Sequence, residues 1–163
     1  MKRILLTIFL AAVIIPAFAG DDIKKLEKKA KKNDIRAIAQ CVEYWVKATD
    51  IAPIHYFTAD STQFVVSQEK QKAYQKAYAY MQQLAKVTQK KAPDITAEAH
   101  FAVGQWIYID GDVFQSQCLH LTNYKVEARQ WWHQAATLGS AKAAEYIRQL
   151  DETGKISNDS TTP

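Results

Sequence analysis

Between Asp34 and about Ala48, apolar residues recur at Ala37, Ile38, Cys41, Val42, Trp45 and Val46. Spacings of three and four mark the buried stripe of an amphipathic helix. The same spacing places Tyr74, Ala77, Tyr78, Met81, Leu84 and Ala85 on one face of a long helix from Ser67 to Lys91, with Ser67 as its cap. Pro93 prevents simple continuation, and Asp94 caps the next helix, Asp94 to Ile109. Its apolar residues (Ala99, Phe101, Ala102, Val103, Trp106, Ile107) fall on more than one side, so it lies between neighbours. Two further helices run from Asn123 to Leu138 and from Ser140 to about Asp151. A short one from Asp22 to Lys32 sets Ile23, Leu26 and Ala30 on one side and six lysines largely elsewhere.

Helix ends are marked as clearly as helix faces. Gly139 suits the left-handed conformation that closes a helix, and Ser140 caps the next one. Asn33 and Asp34 form a weaker copy of that junction, with Asn the next-best residue for the left-handed turn. Ala128, Ala135, Ala136, Ala141 and Ala143 let helix axes approach closely, while Trp131 and Trp132 fill the space beside them. Two junctions of the form Ala-x-x-(Gly or Asn)-(Ser or Asp)-x-x-Ala point to an internal repeat of helix pairs, hence an all-α solenoid.

Two long connections interrupt the pattern. Thr49 to Val66 holds Ile51, Pro53, Ile54, Tyr56, Phe57, Phe64, Val65 and Val66, too long and too apolar for an idle surface loop. Either these residues fold over the helices as a plug, or they form part of a binding surface, or both. Asp110 to Thr122 is the second connection, with Val113, Phe114, Cys118, Leu119 and Leu121. Candidate partner-contact residues are the groups in these connections and at the helix ends beside them: Tyr56, Phe57, Phe64, Tyr108, Asp110 and Phe114. The alternative is that most of them are core.

The chain begins Met1-Lys2-Arg3, continues with an apolar run from Ile4 to Ile15, and reaches Pro16-Ala17-Phe18-Ala19. That is the order of a cleavable export signal, residues 1–19, with cleavage after Ala19. The run is shorter than the roughly 20 residues a membrane span requires, so no stable membrane insertion is expected after cleavage. No cysteine follows the cleavage site to carry a lipid. Residues 20–151 are then one domain of a periplasmic or secreted protein, followed by a polar, disordered tail at 152–163.

Removing the signal leaves nineteen basic against seventeen acidic residues, a balance that does not single out nucleic acid. The lysines of the first helix either meet an acidic partner or an anionic membrane, or are simply a solvated face. In an exported protein Cys41 and Cys118 can pair in only one way, stabilising the fold by about 4 kcal/mol on the chain-entropy model, or else remain two separate thiols. His55, His100, His120 and His133 show no metal-site spacing, and Cys118-Leu119-His120 lacks two further ligands. Asp110-Gly111-Asp112 lacks the remaining oxygens of a calcium loop. No nucleophile is accompanied by a base and an oxyanion site, so neither cofactor nor catalysis is expected.

The pattern Ala99-x-x-x-Val103-Gly104, an aromatic-rich turn, Gly111, then Ala128-x-x-Trp131-Trp132-x-x-Ala135-Ala136-x-x-Gly139-x-x-x-Ala143 resembles the Sel-like repeat, a relative of the tetratricopeptide repeat. Val103 replaces the family's leucine, Trp132 its tyrosine, and the loop around Gly111 is longer. The earlier half is degenerate, with Ala37, Cys41 and Trp45 at first-helix landmarks and Ala77, Tyr80, Met81, Leu84 and Ala85 at second-helix ones. The resemblance implies an α-α superhelix of about two helix-pair repeats with flanking half-repeats. It also implies a non-enzymatic protein-binding role: an immunity protein that neutralises a secreted toxin, or an envelope-assembly adaptor or scaffold. Sel-like members linked to cell-wall or β-lactam hydrolysis look like chains with a cysteine pair in each repeat, which this chain lacks.

Overall fold

The computed structural model describes residues 20–52, 54–56, 64–109, 111 and 113–152. Among them the helices are α1 (Gly20–Ala30), α2 (Ile35–Ile51), α3 (Gln68–Lys91), α4 (Pro93–Ile109), α5 (Val113–Leu119), α6 (Tyr124–Thr137) and α7 (Ala141–Glu152). Between α2 and α3 lie two short strands, β1 (Ile54–Tyr56) and β2 (Phe64–Val66). The fold is all-α apart from this ribbon. The expected export signal and residues 153–163 of the expected tail lie outside the described residues.

Both junctions read from the sequence close their helices in the same way. Asn33 (φ 58°) and Gly139 (φ 99°) are left-handed. Around each, one amide reaches back five residues and the amide before it three: Asp34 N to Lys29 O and Asn33 N to Ala30 O, then Ser140 N to Ala135 O and Gly139 N to Ala136 O. The following residue then caps the next helix, Asp34 Oδ1 accepting from Ala37 N at 2.9 Å and Ser140 Oγ from Ala143 N at 3.2 Å. Asn33 therefore does the work of Gly139 at a conformation that costs a non-glycine residue about 1 kcal/mol.

Each long helix packs on the next one along the chain, α1 on α2, α2 on α3, α3 on α4, α4 on α6 and α6 on α7, while the short α5 between α4 and α6 packs back on α3. Single side-chain contacts also join helices further apart in the chain, α1 with α3 and α4 with α7. Lys76 of α3 pairs with Glu27 of α1 at 3.2 Å, and Phe101 of α4 meets Tyr146 of α7 at 6.1 Å between ring centres. Small residues permit this: Ala30, Ala77, Ala128, Ala135 and Ala143 are fully buried. The core runs through Ile38, Leu84, Ile107 and Trp132.

Several boundaries differ from the sequence reading. The segment 110–122, expected to be a connection, contains α5. It ends at His120, a non-glycine residue in the left-handed conformation (φ 55°), with Leu121 N closing back to Ser116 O at 3.0 Å. Part of the first long connection is a ribbon, Ile54 pairing with Val66, His55 with Val65 and Tyr56 with Phe64, where β-branched and aromatic residues favour extended backbone. Asp94 lies in the first turn of α4 rather than at its cap, because Pro93, whose missing N–H costs nothing there, already begins the helix. Glu152, expected in the tail, is the last residue of α7.

The neck of the ribbon is held by a buried lysine. Lys70, 7% exposed, donates to Thr49 O at 2.5 Å and lies over the Tyr74 ring at 5.6 Å. A cation on the last carbonyls of α2 satisfies orphan acceptors and complements the helix dipole.

The expected Cys41–Cys118 bridge is not formed; both cysteines are buried and not disulfide-bonded. Cys41 of α2 faces Glu27, Lys76 and Tyr80, whereas Cys118 closes α5, its carbonyl accepting from Gln75 at 3.3 Å. They serve different helix contacts.

Gly104 is a tight packing point between α4 and α6. A Cβ there would lie 2.6 Å from Trp132 Nε1 and 2.9 Å from Ala128 O. Gly104→Ala should therefore lower the urea unfolding free energy by about 1–3 kcal/mol, as overpacking does. A cost of only a few tenths would mean that α4 and α6 do not approach this closely.

Candidate functional site

Phe101 and Tyr108 are seven residues apart on α4, two turns along one face. Trp132 of α6 lies between α4 and α7 with no exposed surface. Its indole meets Tyr108 at 5.3 Å and Tyr146 at 4.7 Å between ring centres, while Tyr146 meets Phe101 edge-on at 6.1 Å and Tyr108 meets Tyr124 at 6.4 Å. The result is an open ring of aromatics: a buried indole touched by half-buried Tyr108 and Tyr146, which in turn touch half-buried Tyr124 and Phe101. Burial, then the neighbouring Tyr146, raises the Tyr108 hydroxyl above its ordinary value. Beside it Ile109 is 49% exposed. Half-open aromatics, three of them with hydroxyl tips, and an exposed aliphatic at the end of the same helix have the composition of a protein-contact surface.

A second aromatic group ties α3, α4 and α6 together. Tyr78 donates to Glu127 Oε1 at 2.6 Å, and Trp131 Nε1 donates to the same oxygen at 3.2 Å. Trp106 stacks on Tyr78 at 6.4 Å, and His100 packs on Trp131 at 5.4 Å. Burial, followed by the Glu127 contact, pushes the Tyr78 hydroxyl up to about 12. This network is packing: its polar atoms are turned to one another.

Of the six residues expected to touch a partner, Tyr108 is in the aromatic ring just described. Tyr56 and Phe64 lie opposite each other in the ribbon, and Phe114 lies in α5, but their side chains are outside the described residues, as are Phe57 and Asp110 altogether. Sequence reasoning overlooked Phe101, Tyr124 and Tyr146. The seven-residue spacing of Phe101 and Tyr108 was the available signal for the first; the other two join only through tertiary packing.

The reactive groups are occupied elsewhere. Burial, and secondarily Glu27, pushes the Cys41 thiol up to about 12, so it stays protonated at neutral pH and is a poor nucleophile. Ser67 Oγ accepts from Lys70 N at 3.1 Å as the cap of α3, and Ser140 caps α7. His100 Nδ1 lies 2.8 Å from Thr96 O, and Arg129 Nε donates to His133 Nε2 at 3.3 Å. Among the described residues no three His, Cys, Asp or Glu side chains gather where a metal ion could be held. No described helix is long and apolar enough to cross a membrane.

Comparison of the chain with family models, curated proteins and solved structures finds no match.

The buried thiol and phenol make stability pH-dependent. A fold that raises an acid's pKa favours its protonated form, so that stability is whole below the unfolded pKa and lost as pH rises toward the folded one. For Cys41 the window is 9.0 to about 12, and for Tyr78 it is 10.0 to about 12. Urea midpoints should hold steady up to pH 9 and fall above it, with C41A flattening the onset. In the folded protein at neutral pH a thiol reagent should label neither cysteine, and both only after unfolding. Labelling of neither after unfolding without reductant would reinstate the bridge.

Proposed function

We propose that this chain is an exported, non-enzymatic protein-binding module of the Sel-like repeat type. In this reading α2 with α3, and α4 with α6, are two helix pairs, α1 and α7 are flanking half-repeats, and the ribbon and α5 are insertions in the two pairs. Its support is the order of packing: with α5 set aside as an insertion, each helix packs on the next in the series α1, α2, α3, α4, α6, α7, and single side-chain contacts join α1 to α3 and α4 to α7. Such contacts are the ones a stacked solenoid makes. Export rests on the leader-like pattern of residues 1–19.

The observation that carries the binding role is the open ring of half-buried Phe101, Tyr108, Tyr124 and Tyr146 linked through Trp132, with Ile109 exposed at the end of α4. Large aromatic side chains lose little conformational entropy when covered and dominate interface energetics. The narrower assignment is an immunity protein that masks a toxin in the periplasm; an envelope-assembly adaptor would use the same surface.

Ile109→Arg tests the role, because it places a charge on an exposed position and leaves the aromatic packing intact. Immunity predicts that co-expression protects cells from a periplasmic toxin encoded beside this gene, that the two products co-purify, and that I109R weakens capture at least about tenfold with an unchanged unfolding midpoint. An adaptor co-purifies with resident envelope proteins in the toxin's absence. Turnover of peptidoglycan or a β-lactam by the purified protein would overturn both.

A further inference from the structure

The turn between α1 and α2 and the C-terminal half of α3 enclose a groove of about 270 Å³ lined by Asn33, Gln83, Lys86, Val87, Lys90 and Lys91. Its walls are tied together: Gln83 Nε2 donates to Ala30 O at 2.8 Å, and Lys91 Nζ donates to Asn33 O at 2.9 Å. The concavity is therefore part of the fold. Lys86 and Lys90 are exposed and pair with no described carboxylate.

Charge is unevenly divided along the chain. Residues 20–91 hold fourteen basic and eight acidic side chains, a surplus of six positive charges, whereas residues 92–163 hold five basic and nine acidic, a surplus of four negative. The two parts also use their cations differently. In the second, Arg129 pairs with Asp151, Lys142 with Glu98 and Arg148 with Glu145. In the first, Lys47 and Lys76 are neutralised by described carboxylates, and the groove lysines face solvent.

We propose that this groove binds an acidic polypeptide segment of the partner. Lys86 and Lys90 meet its carboxylates while Val87 gives the chain an apolar floor. A positive concavity opposite a negative segment speeds encounter and selects partners by charge. Its concave shape, walled by two elements, admits an extended chain but not the flat face of a bilayer. The proposal rests on the protein-binding reading above and adds the chemistry of what is bound.

The test is fluorescence anisotropy of a labelled oligoglutamate peptide titrated with the full-length mature protein. Binding should weaken as ionic strength rises. K86E/K90E should lower affinity at least about tenfold without moving the thermal midpoint, since both residues are exposed. K24E/K28E, an equal change of charge on α1 outside the groove, should lower it far less. No oligoglutamate binding at low ionic strength, or equal losses in the two double variants, overturns the groove. So does binding of phosphatidylserine vesicles with none of oligoglutamate. The two readings fail separately: oligoglutamate binding that persists in I109R supports the groove whatever becomes of the aromatic surface, and its loss in I109R overturns the groove.

Discussion

The contact between the Trp132 indole and the backbone of α4 at Gly104 is the constraint around which the C-terminal half is arranged. An indole with no exposed surface needs a wall without a side chain, and Gly104 provides one, with Ala128 and Ala135 keeping the same face of α6 slim. Because α4 and α6 meet this closely, the next ring outward, Tyr146 on α7, reaches Trp132 at 4.7 Å and Phe101 at 6.1 Å. The half-open surface is thus a consequence of packing one very large residue against a very small one. Dense aromatic cores transmit position in this way because rigid rings leave few alternative arrangements.

The features legible in the sequence were those decided within a few residues. A left-handed residue followed by a capping side chain is a local device, so the Asn33-Asp34 and Gly139-Ser140 junctions could be located from residue type alone, and the apolar stripes between them gave helices α2, α3, α4, α6 and α7 to within a few residues. α5 escaped because seven residues are too few to show a period, and because His120, which ends it, has no turn preference as strong as that of glycine or asparagine. The ribbon escaped for a related reason: three-residue strands in an apolar connection look the same as a packed loop. The cysteine pairing failed on tertiary grounds, since sequence separation says nothing about which helix contact a thiol will fill.

The candidate surface was legible only where one helix carried it. Tyr108 was identifiable from its place at the end of α4, and Phe101 lies on the same face two turns earlier. Tyr124 and Tyr146 come from α6 and α7, Tyr124 beside the close approach at Gly111 and Tyr146 on the Trp132 ring packed at Gly104, a fact of three-dimensional packing with no local signature.

The lysines of the N-terminal half have an ordinary explanation that accounts for part of what is observed. Lys28 and Lys29 stand in the last turn of α1, and Lys90 and Lys91 in the last turn of α3, where cations complement the helix dipole. That explains why lysines collect at these ends. It does not explain Lys86, a full turn earlier on α3, nor why Lys86, Lys90 and Lys91 all line one concavity. Bringing like charges together is unfavourable, and α7 shows the cheaper solution, with Arg148 between Glu145 and Glu152 holding the Glu145 carboxyl down to about 2. A fold that pairs its described cations with carboxylates at one end and leaves Lys86 and Lys90 unpaired with any described carboxylate beside a groove at the other presents there a positive concavity that a negatively charged segment would complement.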